Sequence, residues 1–288
     1  MMRSRQGEGL DFRRPRRLNN FGLRVLSAVV LGGLVLLVTY FGGLLFHLMI
    51  ALFAGALLYE WLAMVGDGLR LPTRLALWAL LLIGLVPLVF NMDAAVVVFV
   101  ALVAMGCGIG LEARRSGTWV AGGLVYALVA AVSIHQIREG GSSGLAAIVF
   151  LFSVVWATDS FAYVFGRLIG GRKLAPRISP SKTWSGALGG ALAAVIAGTG
   201  SARLMGLQPG FVLAMAALVL SAVSQAGDLF ESAVKRRFGV KDSGNMIPGH
   251  GGVMDRVDGL VAAGLALYLI GLLVGGIHEP SRGLFYLP

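Results

Sequence analysis

The sequence predicts an all-α, polytopic integral membrane protein of about nine transmembrane helices, with its N-terminus cytoplasmic and its C-terminus outside. Three observations carry that expectation: the composition, the length of the apolar runs and the placement of the cations. The 288 residues are 57% hydrophobic and only 13% charged, and the mean hydropathy is +0.83, beyond the range of water-soluble domains. Several runs reach about 18 apolar residues, enough to cross roughly 30 Å of hydrocarbon at about 1.5 Å per residue. Helices are expected because each satisfies its own backbone hydrogen bonds in lipid.

Taken in order, the spans fall near 22–40, 43–65, 75–91, 94–111, 119–137, 144–166, 184–202, 210–234 and 257–277. The chain begins with a basic segment, RSRQGEGLDFRRPRR. It has the charge of a signal-peptide start, but the next apolar stretch is long and lacks a small-residue cleavage site, which predicts an uncleaved first helix. With that N-terminus inside, 21 of the 24 Lys and Arg fall on inner segments, and Arg138, Arg203 and Arg282 fall outside. Such a bias supports both orientation and parity. The net charge of +10 therefore belongs with loops facing anionic lipid, and nucleic acid is not an expected partner. The single cysteine, Cys107, lies in an apolar run, which excludes an intrachain disulfide and argues against thiolate catalysis.

The expected organisation is a basic cytoplasmic tail (1–21), a transmembrane scaffold of about five spans (22–137), a catalytic region of about four spans (144–277) and a short external tail (278–288). Cytoplasmic loops are expected at 167–183 and 235–256. The second half stands apart in chemistry, since all four lysines lie between 173 and 241. Six of the fourteen acids, Asp159, Asp228, Glu231, Asp242, Asp255 and Asp258, lie between 159 and 258.

The segment SQAGDLFESAVKRR places Asp228 and Glu231 three residues apart on one helical face, with Lys235 four beyond Glu231. Asp228 lies about two turns before the basic cluster, at a depth where a carboxylate is costly and is usually paired or functional. An internal ion pair with Lys235 or Arg236 is the plainer explanation. In GHGGVMDRVDG, Asp255 and Asp258 repeat the three-residue spacing at the start of the next span. The two sets lie near the same ends of successive antiparallel spans and can face one another. Facing carboxylates suit a Mg²⁺ ion on a phosphate substrate, whereas helix capping by acids accounts for one of the pair at most.

Gly244, Gly249, Gly251 and Gly252 stand among Lys235, Arg236, Arg237, Lys241 and Arg256. A glycine-rich turn alone signifies little, but cations around it make a phosphate cradle plausible. His250 is either a donor to phosphate, an acid or base, or a structural loop residue. Asp159 lies inside the sixth span, and Ser179, Lys182 and Thr183 precede the seventh, where hydroxyls, a cation and free helix N–H groups suit an anion. A capped helix start with Lys182 on lipid headgroups is the alternative. No P-loop pattern occurs, and Gly186 and Gly190 have the spacing of close helix packing.

The run from Ser232 through Lys235-Arg236, Lys241-Asp242-Ser243-Gly244, Ile247-Pro248-Gly249-His250-Gly251-Gly252 and Asp255-Arg256-Val257-Asp258 resembles the signature of phosphatidate cytidylyltransferases, the CDP-diacylglycerol synthases. The segment around Asp159, Tyr163, Gly166-Arg167, Ser179-Pro180 and Lys182-Thr183 resembles the family as well, as does Gly227 to Ser232. Ser185 departs from the family pattern, where glutamate is common. The resemblance implies transfer of CMP from CTP to phosphatidic acid, giving CDP-diacylglycerol and pyrophosphate in phospholipid biosynthesis. It implies Mg²⁺, with a second cation as an option, and a multi-pass enzyme of the inner membrane with its site facing the cytoplasm.

Asp228, Asp255, Asp258, Lys241, Asp242 and His250 are the catalytic candidates so implied. Ser179, Lys182, Thr183, Lys235, Arg236, Arg237, Ser243, Gly251, Gly252 and Arg256 are the substrate-binding candidates. Asp228 and Asp255 are the first metal-ligand candidates, followed by Glu231, Asp159 and Asp258. The implied partners are CTP, phosphatidic acid and membrane lipid, and members of the family are held to act as homodimers. Two alternatives are a CTP-dependent polyprenol or phytol kinase and a membrane transporter. The complete signature argues against the first, and the gathering of charge at one interface rather than at the bilayer centre argues against the second.

Overall fold

The computed structural model describes residues 20–66, 69–113, 118–208, 210–247, 251–276 and 280–283. Nine helices of 19 residues or more run through them: α1 Asn20–Phe41, α2 Gly43–Val65, α3 Leu71–Val89, α4 Ala94–Ala113, α5 Thr118–Arg138, α6 Gly141–Leu168, α7 Trp184–Leu204, α8 Phe211–Arg237 and α9 Met254–Gly275. Seven of these are long and apolar enough to cross a membrane, and shorter apolar stretches lie at Val29–Phe41 and Ala94–Gly110. The protein is an all-α polytopic membrane protein.

Three local features depart from expectation. The connection after α6 is not a plain loop but an antiparallel hairpin of β1 Lys173–Ala175 and β2 Ser179–Thr183. Helix α8 continues to Arg237, so the basic cluster expected in a loop is helical, where cations favour the C-terminal end of the dipole. The stretch expected as a bare tail holds a turn of helix, α10 Pro280–Gly283, packed back onto α9, α5 and α6.

Helix α5 is the axis of the bundle, with 78% of its apolar window buried. Around it Phe46, Leu57 and Leu58 of α2, Leu124 and Leu128 of α5, and Phe150 and Leu151 of α6 close the core at 1% exposure or less. Helix α7 is its opposite, with only 22% buried. It turns Gly186, Gly190, Ala194, Gly198 and Ala202 inward at intervals of four, and leaves Leu188, Leu192 and Ile196 exposed. Small residues inside and large apolar ones outside is the pattern of a helix with lipid on its outer face. A Cβ on Gly190 would stand 2.7 Å from the Thr158 carbonyl oxygen, and one on Gly186 2.6 Å from that of Ala162. The close α6–α7 packing expected from their spacing is therefore present.

Between α8 and α9 the backbones also come close, since a Cβ on Gly227 would lie 2.8 Å from the Asp258 carbonyl oxygen. Thr158 of α6 donates to Ser221 of α8 at 2.8 Å, with both hydroxyls buried. Helices α6 to α9 thus form a tight quartet. The end where α6 and α8 finish and α7 and α9 begin is termed the site face here.

Candidate active site

Helical spacing does the first part of the assembly. Asp228, Glu231 and Lys235 share one face of α8, and Asp255 and Asp258 share one face of α9. Their helices adjoin at Gly227, and together these five side chains line a cavity of about 760 Å³ at the site face. Asp159 enters from α6, Lys182 and Thr183 from β2, and Arg256 from the first turn of α9. Six carboxylates in all line it, counting Asp242, against five cations counting Arg167 and Lys173.

Two of the cations are paired with particular acids. Lys182 pairs with Asp228 across the quartet. Lys235 bridges two carboxylates, at 2.5 Å from Glu231 and 2.6 Å from Asp255. Glu231 is only 1% exposed, and its second oxygen, Oε1, is buried with no hydrogen-bond partner. Burying a charge without compensation is expensive, so Lys235 holds α8 and α9 together electrostatically as well as by packing. Ser232 adds a longer contact, donating to Asp228 at 3.4 Å.

Asp255 has a different task from its neighbours. Its Oδ2 accepts from the Ser243 amide at 3.0 Å, the Ser243 hydroxyl at 3.0 Å and the Gly252 amide at 2.9 Å. With Lys235 on Oδ1, both oxygens are engaged, and the carboxylate draws the two ends of the glycine-rich loop together. Ile247 and Gly251 close that loop with a single β-bridge, and Gly251 has a φ of +86°, a backbone that glycine adopts without strain.

Beneath the loop lies a group that sequence reasoning missed, Glu60 of α2. It is fully buried and accepts from the Ser243 hydroxyl at 3.0 Å and from the amides of Val253 and Met254, each at 2.8 Å. Glu60 therefore caps the start of α9 from another helix, an acid at the positive end of the dipole. Two glycines of the signature make room for it. A Cβ on Gly244 would be 2.8 Å from Glu60 Oε1, and one on Gly252 2.6 Å from Oε2 and 2.0 Å from the Ser243 hydroxyl. Trp61 beside it donates to the Trp119 carbonyl at 2.7 Å, fixing α2 to the start of α5.

The hairpin is tied down just as locally. Thr183 caps α7 by accepting from the Gly186 amide at 3.2 Å, and Ser185 donates to the Gly170 carbonyl. The residue that departs from the family pattern thus fastens the turn after α6 to the start of α7. Other expected residues lie off the cavity lining. Arg236 donates to the Ile178 carbonyl at 3.4 Å, and Arg237 stacks over Trp119 at 5.0 Å. Ser179 and Lys241 do not line the cavity, and Ser243 lies behind it, buried. His250 lies outside the described residues. Conversely, Lys173 and Gln225 line the cavity unanticipated, beside Ser181 of the hydroxyl-bearing stretch before α7. For Gln225 the signal was present, a polar residue one turn before Asp228 in an apolar span.

Arg256 has a second surrounding. It also borders a narrow cleft otherwise lined by apolar residues, among them Leu57, Trp156, Val257 and Leu260. That cleft reaches Phe46 near the far end of α2. One arginine therefore stands between a charged cavity and an apolar one.

A sequence model of the cytidylyltransferase family matches residues 22–274. The chain belongs to that family. Among proteins named phosphatidate cytidylyltransferase, that of Brucella suis biovar 1 is 45% identical over 270 residues, covering 93% of this chain and 99% of the relative. That of Brucella abortus biovar 1 is 46% identical over 258 residues, 89% and 95% of the two chains. The Staphylococcus epidermidis protein of that name is 45% identical over 128 residues, 44% and 49% of the chains. For the cytidylyltransferase fold of this chain, the match from 22 onward places Glu60 inside the family region, together with the acids of α6, α8 and α9.

Proposed function

We propose that this chain transfers the cytidylyl group of CTP to phosphatidate, forming CDP-diacylglycerol and releasing pyrophosphate. The observation that supports it most is the position of Arg256, shared by a cavity of mixed charge and an apolar cleft. A substrate that is a phosphate at one end and hydrocarbon at the other needs both surroundings at once. The likeness to phosphatidate cytidylyltransferases over nearly the whole chain points the same way.

In the proposed reaction a phosphatidate oxygen attacks the α-phosphorus of CTP, the α–β anhydride bond breaks, and pyrophosphate departs with the bonding electrons. The nucleophile is already an anion, so neither a covalent intermediate nor a strong base is required. The difficulty is repulsion between two anions, and the chain meets it with positioned cations in a partly dehydrated cavity. Arg256 orients the lipid phosphate, while Lys182, Lys173 and Arg167 face the nucleotide phosphates. The glycine-rich loop lies behind the cavity and fixes the Asp255 carboxylate at its edge.

Mg²⁺ suits the carboxylate oxygens of Asp228, Asp258, Asp159 and Glu231, residues that line one cavity. When bound it neutralises charge on the triphosphate and on the departing pyrophosphate. Asp255 joins that set only if Lys235 or the loop amides release it. The cation bias of the sequence supports a cytoplasmic site face in the inner membrane, on the side where CTP is available.

The test is purified protein in mixed micelles with phosphatidate, Mg²⁺ and CTP labelled at one phosphate. Label from the α-phosphate is expected in the lipid, with pyrophosphate formed in equal amount and turnover abolished by chelation. Transfer of label from the γ-phosphate instead would make the chain a lipid kinase and overturn the proposal.

A further inference from the structure

The end of the bundle opposite the site face carries a second polar cluster that the cytidylyl chemistry does not use. His47 lies one turn into α2, thirteen residues and about 20 Å of helix before Glu60. His135 is in the last turn of α5, and Glu139 follows it by four, continuing the helical path through its amide bond to the His135 carbonyl at 3.1 Å. The i, i+4 spacing sets His135 and Glu139 on one side, and α2 brings His47 against them. His47 Nε2 is 2.9 Å from Glu139 Oε1, and the two imidazoles meet edge to face with centroids 4.8 Å apart.

We propose that His47, His135 and Glu139 bind a divalent transition-metal ion of the zinc class at this end of the molecule. The three residues each offer one ligand atom, and all three atoms lie within 4.8 Å of one another. A second observation singles out a ligand. His135 is 1% exposed, yet its Nδ1 is buried without a hydrogen-bond partner. A buried polar atom left unmatched is costly, and a metal ion accepting its lone pair removes that cost. The donor set selects the class of ion. Two imidazoles and a carboxylate suit zinc and its first-row neighbours, whereas magnesium and calcium prefer oxygen throughout. Three protein ligands leave one tetrahedral position for water, and Glu139, the exposed member, marks the side from which an ion enters.

The place in the fold gives such a site a structural effect. It joins the start of α2 to the turn between α5 and α6. Beside it Arg138 donates to the Thr39 carbonyl at 2.8 Å and lies 5.9 Å over the Phe46 ring. The ion would thus sit where α2 meets the end of α5, an end that Arg138 ties to α1. A simple ion pair between His47 and Glu139 gives a contrasting expectation, because it assigns no role to His135.

The experiment uses the full-length, tag-free chain in detergent, stripped with chelator and titrated with Zn²⁺ in excess Mg²⁺. One equivalent of zinc is expected to bind calorimetrically, at least about tenfold more weakly in His135→Gln, and unchanged in Asp228→Asn, which alters only the charged cavity. Absence of zinc binding by the wild type, or undiminished binding by His135→Gln, overturns the proposal. Should His135→Gln fail to fold, His47→Gln and the melting temperature decide. Zinc is expected to raise Tm of the stripped wild type and to leave that of His47→Gln in place. No rise in the wild type refutes the site.

Discussion

Removing the Glu60 carboxylate is expected to release the glycine-rich loop without disturbing the rest of the bundle. The side chain accepts three hydrogen bonds, from the Ser243 hydroxyl and the Val253 and Met254 amides, in a position with no exposure. In Glu60→Ala the two amides lose their acceptor, while the Ser243 hydroxyl keeps Asp255 Oδ2, and each buried unmatched group costs about 1–3 kcal/mol. Partial relaxation of the loop holds the total near the lower half of the sum, roughly 2–4 kcal/mol. At about 1.4 kcal/mol per factor of ten, the opening equilibrium of the loop shifts by roughly one and a half to three orders of magnitude. Hydrogen exchange resolved to residues 243–254 reads this directly. Protection at Val253 and Met254 should fall by that factor, while the amides of α6 and mid-α8 keep theirs. Cytidylyl transfer should drop about 10²-fold, because a displaced loop displaces the Asp255 carboxylate that it holds at the cavity. Glu60→Gln keeps one acceptor but turns an NH₂ toward the two amides, so it should fall near the alanine variant. Unchanged exchange at Val253 and Met254 in Glu60→Ala would refute the capping role.

Two further outcomes follow from the same geometry. Lys235→Met leaves buried Glu231 and half-engaged Asp255 without their cation, and is expected to cost about 3–5 kcal/mol by denaturant unfolding in detergent. Adding Glu231→Gln should recover part of that loss, and a double-mutant cycle with no coupling would count against the bridge. Gly252→Ala places a Cβ 2.0 Å from the Ser243 hydroxyl and 2.6 Å from Glu60. It should lower stability by about 1–3 kcal/mol, whereas Gly200→Ala, with open space around it, should lower it by little or nothing. Equal effects on thermal unfolding would sink the packing explanation for Gly252.

The helices were legible because hydropathy and length dictate them in lipid, and the family signature was legible because its spacing is local. What escaped was mostly non-local. Glu60 is 183 residues from Ser243 and 194 from Met254, and no periodicity links an acid of the second span to a loop before the ninth. One signal was available, since a carboxylate inside an apolar span is costly wherever it occurs. Glu60 bears that cost as fully as Asp228 does, with no basic cluster nearby to draw the eye. Gly244 and Gly252 read in sequence as room for a phosphate, and the structure supplies a second reason, room for the Glu60 carboxylate. The β1–β2 hairpin was hidden because Ser-Pro-Ser-Lys-Thr has neither alternation nor β-branched enrichment. The extra turn of α8 was hidden because three consecutive cations suggest solvent sooner than helix.

Arg256, at the junction of the charged cavity and the apolar cleft, has a kinetic consequence. On the proposed function, its two neighbours are fed by different geometries of diffusion. The nucleotide arrives through three dimensions, and the lipid travels in the plane of the bilayer. The product, still carrying both acyl chains, departs sideways into that plane while pyrophosphate leaves along the normal. The rate then answers to the mole fraction of phosphatidate among its neighbouring lipids, not to its amount per volume of cell. A cell can change the output of such an enzyme by altering the composition of the surface around it, with no change in the protein.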